Sequence, residues 1–490
     1  MSESSNVTDI SRATEPLSRL FDRQRLAFRQ REAAMPVAER EHAIQSLLDC
    51  VLDNRAELAR AMREDFGGRA VEESLLELFV VIDDLRHARR HLKRWARPRR
   101  VATNWQFRPS RSELRPQPLG VVGVIGAYNY PVMTTLSPVV NALAAGNHVM
   151  MKPSELTPRT TALMRKLIGG LFDESVVAVI DGDVAVARAF SALPFDHLVF
   201  TGSTRVGRMV MQAAAANLVP VTLELGGKSP VIVGEDFDLQ TAAETVVQSK
   251  LLNAGQTCVA GDYVLVPERH RDAFLAHARD AIRASYPTLV DNKDYGRLLS
   301  GNDWTRLDEW TREAESQGAS VEAINPAGEV CSAENKVFPP TLVWDCPRGA
   351  KLSEEEVFGP VLPVVTYRDI DDAIAHVNAG ERPLALYVLS GNKSLVRRVL
   401  ERTISGGVSV NGCGYHAIQH NLPFGGVGSS GIGCYRGQAG FDRLSHLKPV
   451  LYMSPLTKAS AYLRPPYGKV AAWILGFMLR NRIHREDTSV

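Results

Sequence analysis

LGVVGVIGAYNYPVMTTLSPVVNALAAGNHVMMK, residues 119–152, is the stretch that decides the fold. Its opening, LGVVGVIGA (119–127), is apolar and punctuated by glycine, the pattern of a buried strand running into a loop. PVMTTLSPVVNALAAG (131–146) reads as a helix, with Pro131 suited to its first turn and Gly146 to its exit. HVMMK (148–152) is a second short apolar strand. Strand, helix and strand in so short a span imply a right-handed βαβ unit and a parallel sheet. The pattern repeats downstream. TPRTTALMRKLIGGLF (157–172) and RVGRMVMQAAAA (205–216) read as helices, and VVAVID (176–181), HLVFTGS (197–203) and VTLELGG (221–227) as strands. Such sheets bind ligands beyond the carboxyl ends of their strands, so strand ends are the first places to look for chemistry.

On the N-terminal side, residues 16–97 read as helical, since apolar residues recur at three and four in IQSLLDCVLDNRAELARAM and VEESLLELFVVIDDL. The basic run LRHARRHLKRWARPRR (85–100) reads as a solvated helix face rather than a nucleic-acid patch. On the C-terminal side a second α/β series begins near 229. SPVIVG, DYVLVPE, TLVWD, VLPVVTYR and LALYVLSG are its strands, and LQTAAETVVQSKLLNAG, DIDDAIAHVNAG and SLVRRVLERT its helices. LPFGGVGSSGIG (422–433) reads as a loop and SHLKPVLYM (445–453) as a late edge strand. The expected fold class is therefore α/β, with two α/β domains.

The 490 residues suffice for two or three domains with buried cores. A composition 45% hydrophobic and 23% charged is that of an ordinary globular protein. A formal net charge of +2 gives no global field pointing to nucleic acid or an acidic partner. The polar start, MSESSNVTDISRATEP, lacks the basic-then-apolar pattern of a secretory signal. The longest apolar run, Val470 to Leu479, falls short of the ~20 residues that span a bilayer. Six cysteines, none in a CxxC pair, do not suggest a disulfide framework, so a reducing cytoplasm is the expected setting.

Individual residues leave alternatives open. VFTGSTRVG (199–207) puts Gly202 and Gly207 at a strand-to-helix turn, where a phosphate can meet unpaired backbone N–H groups, but a plain tight turn explains it as well. It matches neither G-x-G-x-x-G nor an ATP-binding P-loop. Lys152 and Glu155, in KPSE just past the second strand, stand where an acidic side chain can accept from ribose hydroxyls, or where a helix simply starts. Glu224, in LELGGKSP, ends the fifth strand between leucines, which is a burial cost unless the carboxylate is used. Cys258, in NAGQTCVAG (253–261), has small neighbours that permit close substrate approach; a cysteine in one sequence is otherwise most often a small buried hydrophobe. His416 and His420, four apart in HAIQH, lack the glutamate of a zinc-protease motif, and no metal is expected.

The combination is more specific. LGVVGVIGAYNYP, KPSE, FTGSTRVG, LELGGKSP, NAGQTC and EEVFGPVLPV occur in that order, and together they resemble the aldehyde dehydrogenase superfamily from about residue 20 to 455. SGGVSVN, LPFGGVGSSGIG and RLSH resemble its class 3 branch, and LRPPYG (463–468) the bacterial coniferyl aldehyde dehydrogenases within it. The resemblance implies a Rossmann-type domain, a catalytic domain and a small oligomerisation arm. The implied boundaries are 1–228 (with 100–116 as an arm segment), 229–433, 434–455 for the oligomerisation strand and 456–490 for a tail.

It also implies roles. Cys258 matches the nucleophile, Glu224 the general base and Asn129 the amide that stabilises an oxyanion. Lys152 and Glu155 match contacts to the adenosine ribose, Gly202, Ser203 and Gly207 the pyrophosphate turn, and Glu356 and Phe358 the nicotinamide contacts. Tyr130, His416 and Phe424 are expected at the substrate pocket. The implied reaction is NAD(P)-dependent oxidation of an aldehyde to an acid through a cysteine thioester, without a metal. Glu155 should repel a 2′-phosphate and favour NAD, with NADP left open. The expected substrate is aromatic, such as coniferyl aldehyde; a medium- or long-chain fatty aldehyde is the alternative. Glu224 argues against an acylating, coenzyme A-dependent relative, and Cys258, Glu224 and Asn129 together against a non-catalytic protein on this fold. A cysteine hydrolase would need a histidine-activated thiol and no nicotinamide. The chain is expected to be a cytoplasmic homodimer, with its tail KVAAWILGFMLRNRIHR (469–485) packed on protein or, alternatively, lying on a membrane surface.

Overall fold

The computed structural model describes residues 3–31, 35–457 and 464–479. The chain divides into two units, Met1–Trp95 with Pro118–Ser445, and Ala96–Gln117 with His446–Val490.

The first unit opens with helices Glu3–Arg29, Val37–Asp53, Arg55–Phe66 and Val71–Trp95. The last buries Leu78, Val81, Leu85, Ala88, Leu92 and Trp95, a three-and-four repeat that makes one apolar stripe. Glu72 and Glu73 in its first turn and Lys93 and Arg94 in its last complement the helix dipole. Arg86, Arg89, Arg90, Lys93 and Arg94 are exposed on its other side, so the basic run is a solvated helix face over this span.

Strands β1 (Arg99–Val101) and β2 (Arg111–Pro118) come next, followed by β3 (Val121–Ile125), β4 (His148–Lys152), β5 (Val177–Val179), β6 (His197–Thr201) and β7 (Val221–Glu224). Every residue of β3, β4, β6 and β7 is buried, which is why these strands read as unbroken apolar runs rather than alternating ones. The following stretch supplies β8 (Pro230–Val233), β9 (Tyr263–Pro267), β10 (Ser320–Ala323), β11 (Thr341–Trp344), β12 (Val361–Tyr367), β13 (Ala385–Leu389) and β14 (Gly407–Val410), before β15 (Gly431–Ile432) and β16 (Ser445–Tyr452).

Three sheets result. The six-stranded sheet has order β15-β7-β6-β3-β4-β5 and is parallel except for β15. The chain leaves β3 toward β4 on one side and later returns to β6 on the other, so the gap between β3 and β6 is a topological switch point. The seven-stranded sheet has order β10-β11-β12-β9-β8-β13-β14 and is parallel except for β10. The three-stranded sheet joins β1, β2 and β16.

Register aligns the strand ends that matter. Ile125 pairs with Lys152 and with Phe200, Thr201 with Glu224, and Glu224 with Gly431. The stretch expected to be a plain loop, 422–433, therefore contributes a two-residue strand to the six-stranded sheet. Helices Val184–Ser191, Arg271–Ser285 and Gly301–Ser316 and strand β10 lie outside the sequence reading.

Candidate active site

A cleft of about 1600 Å³ lies in the first unit at the carboxyl ends of β3, β4, β6 and β7. Asn129, Lys152, Glu155, Gly202, Ser203, Glu224, Cys258, Glu356 and Phe358 all line it. Gly207, Tyr130, His416 and Phe424 do not.

Lys152 ends β4 with its side chain buried, and its Nζ donates to Glu155 Oε2 at 2.9 Å. A third of the Glu155 side chain stays exposed, which leaves an acceptor facing the cleft. Ser203 caps helix Thr204–Ala215, its Oγ accepting from Val206 N. The Gly202 N–H is already given to the Glu224 carbonyl at 3.0 Å, so the N–H groups of the helix start, not that of Gly202, remain for an anion. Gly207 is buried one turn inside the helix. A Cβ there would meet Leu225 Cδ2 at 2.6 Å, so its smallness serves helix-to-strand packing rather than the phosphate turn expected from the sequence.

Glu224 is 1% exposed and neither carboxylate oxygen has a hydrogen-bond partner among the described residues. Burial pushes its pKa well above the ordinary carboxylate range; Arg436 opposes the shift without cancelling it. Cys258 follows the turn Leu252–Gly255, whose Asn253, Ala254 and Gly255 have φ of 53°, 53° and 77°. A Cβ on Gly255 would overlap the Gly359 carbonyl, so only glycine lets this turn approach the EEVFGP segment. Burial, then the carboxylates of Glu224 and Glu356, push the Cys258 thiol upward, so it is protonated at neutral pH. Asn129 is 4% exposed, and its Nδ2 donates to the Gln256 carbonyl at 3.1 Å. The amide has a second N–H, which leaves one donor for a substrate oxygen.

Glu356 sits where a Cβ on Gly226 would overlap its Oε2, and burial and the nearby Asp262 raise its pKa to about 8. Phe358, at φ 45°, lies edge-on to Tyr128 with centroids 6.1 Å apart. Residues absent from the sequence reading hold this segment. Asp262 pairs with Lys228 at 2.9 Å and Lys250 at 3.1 Å and accepts from Val357 N at 3.1 Å. Arg306 donates to the carbonyls of Val357 at 3.0 Å and Phe358 at 3.4 Å. Lys228 belongs to LELGGKSP, so the motif held a signal; Asp262 and Arg306 had none.

The three residues expected at a substrate pocket sit off the cleft. The Tyr130 hydroxyl hydrogen-bonds Thr257 Oγ1 at 2.8 Å and its ring lies under Arg69, so it is a buried strut. Phe424 is buried edge-on to Tyr435, in a cluster against which Cys258 packs. His416 is buried, with Nδ1 paired to Ser409 Oγ at 2.9 Å; burial and Arg436 lower its pKa to about 4, so it is neutral. His420 instead pairs with Asp83 and Asp84. Only the first three residues of HAIQH lie in a 3-10 turn (Tyr415–Ile418), His420 falls beyond it, and the two imidazoles engage different partners. Arg436, 2% exposed and at φ 88°, was also unsignalled; its guanidinium lies 5.4 Å over the Phe424 ring and 3.5 Å from Asp84.

No helix among the described residues is long and apolar enough to cross a membrane. The tail forms helix Lys469–Met478, with Trp473 and Phe477 exposed and the Phe477 ring edge-on to Trp105. Tail residues 480–485, and Leu463 of LRPPYG, lie outside the described residues.

The aldehyde dehydrogenase family profile matches residues 4–450. A Caulobacter vibrioides protein named "Probable coniferyl aldehyde dehydrogenase" is 46% identical over 86% of this chain and 88% of its own length. The coniferyl aldehyde dehydrogenase of a Pseudomonas species is 44% identical over 88% and 89%. Among solved structures, substrate-bound Staphylococcus aureus AldH superposes with a TM-score of 0.88 at 33% identity, covering 94% of this chain and 99% of that one. Staphylococcus aureus betaine aldehyde dehydrogenase in complex with NAD+ gives a TM-score of 0.81 at 26% identity, over 90% and 88%.

Proposed function

The chain belongs to the aldehyde dehydrogenase family, and from that premise we propose that it oxidises an aromatic aldehyde of the coniferyl type to the carboxylic acid, with NAD as the preferred acceptor. The observation that carries the chemistry is the convergence on one cleft of Cys258, Asn129 and a buried Glu224 that has no hydrogen-bond partner among the described residues. The cleft fits a dinucleotide. Lys152 and Glu155 would hold the adenosine ribose, the start of helix Thr204–Ala215 the pyrophosphate, and Glu356 and Phe358 the nicotinamide end. Bound nicotinamide supplies the hydride acceptor.

The protein's own residues do the rest. Cys258 gives its proton to water in the cleft, and its sulfur bonds to the aldehyde carbon as the carbonyl electron pair moves onto the oxygen. The free N–H of Asn129 stabilises the developing oxyanion; losing such a donor costs about 3 kcal/mol. Loss of hydride from that carbon leaves a thioester on Cys258. Glu224, which lines the cleft with both carboxylate oxygens free of partners among the described residues, takes a proton from water as the water attacks the thioester. The carbon–sulfur bond breaks, the acid leaves and the thiolate is regenerated.

Glu155 at the ribose position supports NAD over NADP, since a 2′-phosphate would meet its charge. The 44–46% identity to proteins named for coniferyl aldehyde supports the aromatic substrate. The test is NADH production against coniferyl aldehyde, benzaldehyde and decanal, repeated with NADP. Coniferyl aldehyde with NAD should give the highest kcat/KM; a preference for decanal would move the role to fatty aldehydes. Cys258→Ala should abolish turnover and keep cofactor binding, and wild-type-like turnover by that variant would remove the nucleophile assignment. A homodimer is part of the same reading, supported by an arm sheet that buries little of its own surface.

A further inference from the structure

Helix Val71–Trp95 carries Glu73 and Glu77 one turn apart, a like-charge spacing that weakens a helix unless something neutralises it. Arg69, 2% exposed just before the helix, does so. Its Nη1 donates to Glu77 Oε2 at 2.8 Å, and its Nε lies 3.9 Å from Glu73 Oε2. Its guanidinium also covers the ring of Tyr130, 4.9 Å from the centroid.

Each of these three partners reaches a different part of the reaction centre. Glu77 Oε1 accepts from Val132 N at 2.8 Å and Met133 N at 3.0 Å, which fixes the start of the helix immediately after Asn129. Glu73 Oε1 accepts from Asn253 N at 2.9 Å, inside the left-handed turn that leads to Cys258. The Tyr130 hydroxyl meets Thr257 Oγ1, next to Cys258, at 2.8 Å. The two segments are then tied to each other: Asn253 Nδ2 donates to the Asn129 carbonyl at 3.0 Å, and Asn129 Nδ2 to the Gln256 carbonyl. Asn253 and Ala254 occupy a backbone region that L-residues avoid, so the turn needs an external hold.

We propose that Arg69, Glu73 and Glu77 are positioning residues: a buried clamp that sets the Asn129 amide against Cys258 and so fixes the geometry of the oxyanion site. The proposal rests on the reading of Cys258 and Asn129 as nucleophile and oxyanion donor. Glu73 is the arm to cut, since it lies at the far side of Asn253 and meets neither aldehyde nor cofactor in that reading.

The experiment follows the first-turnover burst of NADH with coniferyl aldehyde in wild type, Glu73→Ala, Glu73→Gln, Asn129→Ala and the Glu73→Ala/Asn129→Ala double variant. Cofactor dissociation and iodoacetamide alkylation at Cys258, read by mass spectrometry, are measured alongside. Glu73→Ala should slow the burst roughly 10- to 100-fold, the scale of a 1 Å misplacement. Alkylation and cofactor binding should stay near wild type, because neither uses the oxyanion site. Glu73→Gln, which keeps a carbonyl acceptor for Asn253 N, should recover most of the burst. In the Asn129→Ala background Glu73→Ala should cost little more, since both act through one interaction. A wild-type burst in Glu73→Ala, or its full loss again on top of Asn129→Ala, overturns the clamp. Should Glu73→Ala not fold, Tyr130→Phe takes its place in the same cycle: a several-fold loss that vanishes without Asn129 supports the clamp, and a wild-type burst overturns it. Turnover by Cys258→Ala would instead remove the underlying reading of the site.

Discussion

Glu224 concentrates the argument at the scale of the residue. Its carboxyl is buried, without a hydrogen-bond partner among the described residues, and raised in pKa by burial, against the pull of Arg436. The native state therefore keeps a proton that the unfolded chain releases above about pH 4.5, the ordinary glutamate value. Its contribution to stability is complete below that pH and is lost as pH climbs through the folded-state value. Glu224→Gln removes the titration. The variant should unfold at a higher temperature than wild type near pH 8, by roughly 1–4 °C, with the gap closing toward pH 4.5. The same variant should keep its first-turnover NADH burst and lose steady-state turnover by roughly 10²- to 10⁴-fold, because only thioester hydrolysis needs the base. A differential melting scan across pH and a burst assay read the two effects separately. Loss of the burst together with turnover would place Glu224 in the first half of the reaction instead.

Elements carry the second kind of information, and they were unequally legible. Strands β3, β4, β6 and β7 of the six-stranded sheet were readable because each is buried on both faces, so its sequence is an apolar run bounded by glycine or proline. Lys152 and Glu224, which end β4 and β7, were placed with them, whereas Asn129, four residues past the end of β3, came only from the family resemblance. Residues 268–340 were not readable: helices Arg271–Ser285 and Gly301–Ser316 bury only four and three residues, and β10 is a half-exposed edge. Long-range polar struts were illegible for a different reason. Asp262 pairs with Lys228, 34 residues away, and accepts from Val357, 95 residues away, and no local pattern announces such partners. Burial alone would raise Asp262's pKa, yet Lys228 and Lys250 hold it below the carboxylate range, so its contribution is present at neutral pH and lost on acidification. Asp262→Asn takes the ion-pair partner from Lys250, 1% exposed, and should destabilise the fold by about 3–5 kcal/mol. It should also free the 355–358 segment and raise KM for NAD about tenfold, with a smaller change in kcat. Denaturant midpoints and cofactor titration measure the two; an unchanged KM would mean that Arg306 alone holds Phe358.

For the whole molecule the arm is the part that a single chain explains least. β1 and β16 expose most of their residues, β2 leaves all but Glu113 at least partly exposed, and Val101, Leu451 and Tyr452 are apolar and open to solvent at 43%, 46% and 39%. A three-stranded sheet needs a buried face to be stable, and Val101, Leu451 and Tyr452 are apolar side chains that this one offers to a covering surface. A second copy of the chain is the occupant the family reading proposes. Light scattering should then give about 108 kDa, twice the 53.8 kDa chain. Val101→Asp with Leu451→Asp puts two charges on the arm and should yield monomers, since an unpaired charge buried in an interface costs several kcal/mol. Every residue of the proposed reaction centre lies between 69 and 436, outside the arm's two segments. The monomer should accordingly keep its NADH burst per site while losing thermal stability in a concentration-independent way, whereas the wild-type unfolding temperature should rise with protein concentration. A monomeric wild type would remove the arm's assigned partner, and a monomeric variant with no burst would mean that the reaction centre is completed by the second copy.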